Sequence, residues 1–359
     1  MPSRKVVPLP VAGLTAPDSI EEWAGRYLDA AVRGVRSTEV TEKIALHLAR
    51  FRDHFATAHG HERLSTVVRR EVVGWRNHLA GDGVDLAPAT VNAHLASLSG
   101  FTTWVATHDP SALPHGNPCA KVTDLPLPPL EPRALSSEQV RSLKNVLDRL
   151  QQFHQHKGRR RRGEVGTHGH ARPLRDRAIM YVLLATGLRR EELIRLNLHQ
   201  INQATPTGLR AARRARVTGV RGKGRTTRHV FLSADARASL ADYLEHERPG
   251  DAGPESTALF LSAASIGSRR PDGRLSTRSV NLICEHIGRW HDADHPDPAR
   301  HLAPLRPHDL RHTFAFNLAA ETNSDAYELQ RRLGHQSQRY IDRYTNPPED
   351  IAASYIEGL

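Results

Sequence analysis

Residues Asp176–Leu196 read DRAIMYVLLATGLRREELIRL. Helical patterning begins at Asp176 and stops near Gly187, the residue type that most readily takes the left-handed turn ending a helix. It restarts with Leu193 and Leu196. Arg189 then starts a second helix with Glu192 three residues on, close enough to touch and orient it. Such an arginine is held rather than free. The longest apolar stretch of the chain, Ile179–Leu188, lies in the same segment. It falls well short of the roughly 20 residues that a bilayer demands, so no transmembrane helix is expected.

Upstream, Ser136 and Gln139 have the spacing of a capping box, and Leu135 and Val140 sit where a hydrophobic staple would close. Val140, Leu143, Leu147 and Leu150 continue as an apolar stripe, which predicts a helix. From about Gln151 to Ala171 the chain is polar, and Arg159, Arg160, Arg161 and Arg162 stand in a row. This stretch reads as an exposed basic loop, and the four arginines are assigned to phosphate contacts with a polyanion.

Downstream, Arg216–Val220 and Arg228–Leu232 flank Gly222-Lys223-Gly224, the pattern of a short β-hairpin. Lys223 at its tip is either a solvated turn lysine or one placed to reach a phosphate. In Pro307-His308-Asp309-Leu310-Arg311-His312, proline suits the first turn of a helix. His308 and Arg311 share a face at i and i+3, with Leu310, Phe314 and Leu318 on the buried side. Leu333-Gly334-His335 is followed nine positions later by Tyr344. Nine steps of 100° leave the two side chains half a turn out of phase, so a break is needed for both to face one site.

The N-terminal part has a different character. Residues 1–17 hold four prolines and little periodicity, a loose leader. Val40, Ile44, Leu48, Phe51 and Phe55, and after Pro88 the set Val91, Leu95, Leu98 and Val105, fall at helical spacing and predict a small bundle over 18–110. Residues 111–132 are rich in proline and read as an extended interdomain linker. At the other end, Pro347 and Pro348 stop a helix and Glu349 and Asp350 suit the start of another. Ala352, Tyr355, Ile356 and Leu359 then form one apolar face, predicting a short docking helix over 347–359.

Charge is unevenly placed. The 359 residues carry a net +11, yet residues 1–110 balance 12 basic against 12 acidic side chains, while 157–228 hold 19 against 4. A positive field concentrated in one stretch is the footprint of a polyanion partner, nucleic acid before a membrane surface. Cys119 and Cys284 alone frame neither a secreted disulfide scaffold nor a four-thiolate zinc site. Pro8 and Pro10 interrupt the segment after Arg4 and Lys5, so no signal peptide is expected and the chain reads as cytoplasmic. The paired histidines His154 and His156, His168 and His170, and His291 and His295 lack a closing cysteine or acidic set. They read as solvated, and no metal is expected.

Joined in order, two arginines, a lysine, two histidines and a tyrosine are what phosphodiester transesterification without metal requires. Arginine forks neutralise charge growing on nonbridging oxygens, lysine protonates a leaving alkoxide, and a histidine helps ionise a tyrosine whose unperturbed pKa is about 10. In these motifs the chain resembles a tyrosine recombinase of the phage integrase family. The resemblance implies a mainly α fold with a small β-sheet: a helical core-binding domain over 18–110 and a mixed α/β catalytic domain over 133–346. It also implies that Arg189 and Arg311 are the catalytic arginines, Lys223 the general acid, His308 and His335 the histidine-box positions, Tyr344 the nucleophile, and Glu192 a support for Arg189. Family behaviour further implies a 3′-phosphotyrosyl intermediate and strand exchange in pairs within a tetramer on double-stranded DNA with paired inverted half-sites. Accessory proteins are compatible with this scheme, and neither a cofactor nor a membrane enters it.

Arg190 departs from the family pattern, standing where an apolar residue is common, and the basic segment 151–171 is longer than usual. Tyr340 rivals Tyr344 as nucleophile, and Tyr355 is better explained by packing. A type IB topoisomerase uses the same chemistry, and a regulator that kept the fold but lost catalysis would lack one of the six positions.

Overall fold

The structure is a computed structural model describing residues 18–81, 84–127, 133–160, 171–222 and 226–334, with backbone alone at 153 and 155–160. The chain divides into two compact units, Met1–Leu130 and Glu131–Leu359. The fold is mainly helical with one small sheet.

In the first unit, α1 (Ile20–Tyr27), α2 (Thr38–His59), α3 (Arg69–Ala80) and α4 (Pro88–His108) surround an aromatic-rich core. Ser37 caps α2 through the Val40 amide, and Gly60 ends it in a left-handed conformation. Leu48, Phe51 and Phe55 are buried as their spacing predicts, but Val40 is exposed because the first turn of α2 projects beyond the core. The segment read as a linker is not loose over its first part. Arg69 Nη2 donates to Lys121 O (2.6 Å), Arg76 Nη1 donates to Thr123 O (3.0 Å), and the Asn92 amide pairs with both backbone groups of Leu125. With Leu113, Cys119, Val122 and Leu125 packed on the core, this stretch belongs to the helical unit.

The second unit contains α5 (Ser137–Arg160), α6 (Pro173–Thr186), α7 (Arg190–Ile194), α8 (Pro206–Ala211), β1 (Ala215–Arg221), β2 (Thr227–Leu232), α9 (Ala234–His246), α10 (Arg248–Asp251), α11 (Thr277–Ala293), α12 (Pro307–Glu321) and α13 (Ala326–Leu333). The capping box forms reciprocally: Ser136 N donates to Gln139 Oε1 (3.0 Å) and Gln139 N to Ser136 Oγ (3.2 Å). α5 runs on to Arg160, so the expected loop from Gln151 is helical for its first ten residues. Lys, Arg and Gln are good helix formers, and polarity alone did not end the helix. Arg159 and Arg160 lie in its last turn, and Arg161 and Arg162 lie outside the described residues.

α6 explains the apolar run. It is buried on nearly every side by α5, α9, α12 and β2, so it needs no polar face. β1 and β2 pair antiparallel with an irregularity between Val217 and Val220, where Gly219 takes φ +63°. No described helix is long and apolar enough to cross a membrane. The pair of His291, in α11, and His295, just past its end, differs from its solvated reading. His291 is 1% exposed, and Ser142 Oγ lies 2.9 Å from both His291 Nε2 and His295 Nε2, fastening α11 to α5. Among the described residues no group of three or more His, Cys, Asp or Glu side chains is placed to hold a metal ion.

Candidate active site

Gly187 closes α6 at φ +58°, and Arg189 becomes the N-cap of α7. Glu192, in the first turn of α7, reaches back to accept from Arg189 N (2.8 Å) and from Arg189 Nη1 (3.1 Å). Arg189 keeps a partly exposed side chain while Glu192 is buried at 5% exposure. Burial alone would raise the Glu192 pKa. Hydrogen bonds and charge from Arg228, then from Arg189, outweigh it and hold the carboxyl below its ordinary value.

Pro307 opens α12, and the Asp309 carboxylate caps it by accepting from Arg306 N (2.8 Å). Arg311 is 1% exposed. Its Nη1 donates to Gly187 O, the carbonyl ending α6, and its Nη2 donates to Leu333 O (2.8 Å), ending α13. Two helix C-termini thus share one guanidinium, whose charge suits the negative end of both helix dipoles. One turn earlier on α12, His308 turns a solvent-facing edge outward. Desolvation of its ring, then the positive charges of Arg311 and Arg189, lower its pKa below the ordinary imidazole value. His308, Arg189 and Arg306 line one groove of about 580 Å³, with Asn281 and Glu285 of α11 on its wall. Arg189, Glu192, His308 and Arg311 therefore meet in one place, although sequence separates the first and last by more than a hundred residues.

Lys223, His335 and Tyr344, with Tyr340, Tyr355 and the 347–359 segment, lie outside the described residues. β1 ends just before residues 223–225 and β2 begins just after them, and Gly222 N donates to Thr226 O (2.8 Å). Gly334, at φ +65°, ends α13 immediately before His335.

Arg228 was not singled out by sequence reading. It is 8% exposed; its Nη1 and Nη2 grip Glu192 Oε1 (2.9 Å) and Oε2 (2.7 Å), and its Nε donates to Arg332 O (2.8 Å). The signal was present: Arg228 shares alternation with Val230 and Leu232, the inward face of β2. A charge on a buried strand face demands a partner.

Known proteins resemble the chain in sequence and in fold. A tyrosine recombinase XerC of Oceanobacillus iheyensis is 30% identical over 188 residues, covering 51% of this chain and 53% of that protein. A tyrosine recombinase XerC of Corynebacterium efficiens is 27% identical over 260 residues, covering 72% and 67% respectively. The chain thus spans about half the length of the first of these relatives. In fold it matches a Tn1549 transposon integrase, solved in complex with a circular intermediate DNA, with a TM-score of 0.64 at 17% identity over 95% of this chain and 99% of that one. Residues 137–350 match the model of the phage integrase family and contain all six positions named from the motifs. With the held Arg189 and the α12 His308 and Arg311 inside that match, the chain belongs to the phage integrase family of tyrosine recombinases.

Proposed function

We propose that this protein is a site-specific recombinase that cleaves and rejoins double-stranded DNA through a 3′-phosphotyrosyl intermediate, acting as a tetramer on paired inverted half-sites. The observation that carries the reading is the convergence of Arg189, fixed by buried Glu192, with His308 on one open groove, with the buried charge of Arg311 acting on His308 from behind. A phosphodiester seated there meets two guanidinium charges opposing the negative charge that grows on its nonbridging oxygens. The Tyr344 oxygen attacks phosphorus and gives its proton to the neutral imidazole of His308. The bond from phosphorus to O5′ breaks, and O5′ takes a proton from Lys223. Attack of a 5′-hydroxyl on the phosphotyrosine reverses the step, so bond energy is conserved and no nucleotide is consumed. His335 completes the set of six.

The test begins by selecting a binding site from random duplex DNA with the full chain, then building a nicked suicide duplex on it. Wild type is expected to be trapped covalently at the 3′ end of the break, in chelator as in buffer. Tyr344→Phe is expected to abolish the adduct and Tyr340→Phe to keep it. An adduct that survives in Tyr344→Phe, or one that needs a divalent ion, overturns the assignment. Exchange between two duplexes, rather than relaxation of supercoils alone, distinguishes recombination from topoisomerase action.

A further inference from the structure

We infer that Arg228 is a positioning residue for cleavage, locking the Glu192 carboxylate, and through it Arg189, to the C-terminal end of α13. The inference rests on the recombinase reading above and adds to it a buried residue that acts through Glu192. One guanidinium joins three elements: β2, which carries Arg228, α7 through both oxygens of Glu192, and α13 through Arg332 O. A planar fork with five donors can satisfy a carboxylate and a helix-end carbonyl at once, which a lysine ammonium cannot do with the same fixed directions.

The fit continues on the α13 side. A Cβ on Gly334 would lie 3.0 Å from Arg228 Nη1, and the backbone there is left-handed, so glycine lets the chain pass closely over the guanidinium. The Arg332 side chain turns away, pairing with Glu328 and stacking over Phe231 at 4.9 Å. Arg228 therefore meets the α13 backbone, not its charges. Arg311 bonds the next carbonyl, Leu333 O, so adjacent carbonyls at the end of α13 are held by two arginines from two different elements. The same Glu192 oxygens that grip Arg228 also accept from Arg189. If Arg228 is lost, Glu192 is free to turn and Arg189 loses its aim.

The experiment compares wild type, Arg228→Met and the double variant Arg228→Met/Glu192→Gln on the nicked duplex described above. It measures duplex affinity, melting temperature and single-turnover cleavage across pH. In the single variant a buried carboxylate keeps Arg189 as its only described charged partner, so its pKa rises. Cleavage is then expected to begin falling at a higher pH than in wild type, where His308 alone sets the acid limb. The double variant removes the buried charge as well. It is expected to recover melting temperature and affinity while cleaving about 100-fold more slowly than wild type, the scale of a small misplacement of a reacting group. A merely structural arginine predicts the opposite, with cleavage recovering alongside stability. Double-variant cleavage at the wild-type rate, or a single variant that cleaves with the wild-type pH profile, overturns the inference and leaves the recombinase reading intact. If the double variant does not fold, the pH profile of Arg228→Met decides. A wild-type protein that forms no adduct overturns both.

Discussion

Gly187 holds three parts of the candidate site through one backbone conformation. Its φ of +58° turns the chain out of α6, its carbonyl accepts from Arg311, and a Cβ placed on it would lie 2.3 Å from Phe314 Cδ1. Gly187→Ala adds a left-handed L-residue, costing about 1–2 kcal/mol, and an overpacked methyl group costing about 1–3 kcal/mol. A fall in unfolding free energy of roughly 2–5 kcal/mol is expected by urea titration with an unchanged m-value, and an unmoved midpoint would refute it. His308 poses a different test. Its pKa is lowered, so as pH falls the unfolded chain takes up the proton first. The folded state therefore loses stability from about pH 6.5 downward to the folded-state pKa. As a base it works only when neutral, so cleavage should be flat near neutrality and fall with pH through that same lowered pKa. His308→Gln should slow cleavage and erase this limb. If the limb persists in that variant, another group titrates.

At the scale of elements, the docked stretch before residue 128 makes a separable prediction. Asn92 pairs its side-chain amide with both Leu125 N and Leu125 O, at 2.8 and 2.9 Å. Asn92→Ala should cost about 1–3 kcal/mol and speed proteolysis between Lys121 and Leu125, whereas unchanged cleavage there would mean that the Arg69 and Arg76 bonds and apolar packing hold the segment without it. The sequence did not reveal this docking, because proline removes periodicity whether a segment floats or is pinned by side-chain amides from elsewhere. The end of α5 was illegible for a related reason. Polarity marks exposure, and an exposed residue is as compatible with a helix as with a loop. By contrast the starts of α5, α7 and α12 were readable, since capping and proline at a first turn are local rules. Gly187, Arg189 and Glu192 were legible for that reason. Arg228 was not, because its partners on α7 and α13 are set by tertiary pairing, and strand alternation showed only that it pointed inward.

For the whole molecule, the decisive quantity is where charge remains unspent. Residues 1–130 carry 13 basic and 13 acidic side chains, so the entire net +11 belongs to 131–359, with 37 against 26. Much of the basic run in 157–228 is consumed internally: Arg172 pairs with buried Asp251, Arg177 with Asp148 and Asp242, Arg210 with Asp242 and Glu245, and Arg228 with Glu192. Arg213, Arg214, Arg216 and Arg221, leading into and along β1, are exposed and pair with no carboxylate among the described residues. Charge without an internal partner is what a DNA backbone can neutralise, because it brings no desolvated ion pair to break. Changing these four arginines to glutamine should therefore lower the dependence of log affinity on log salt by roughly 0.9 for each phosphate that is no longer neutralised, with little change in the selected DNA sequence. Arg172→Gln removes the same charge from the same basic run but strands Asp251, so it should lower the melting temperature and leave the salt slope nearly unchanged. Equal slopes for the four-arginine variant and wild type would place the DNA backbone elsewhere, with Arg159–Arg162 the next set to remove. A slope change in Arg172→Gln as large as that of one β1 arginine would mean that summed charge, not unpaired charge, sets the attraction.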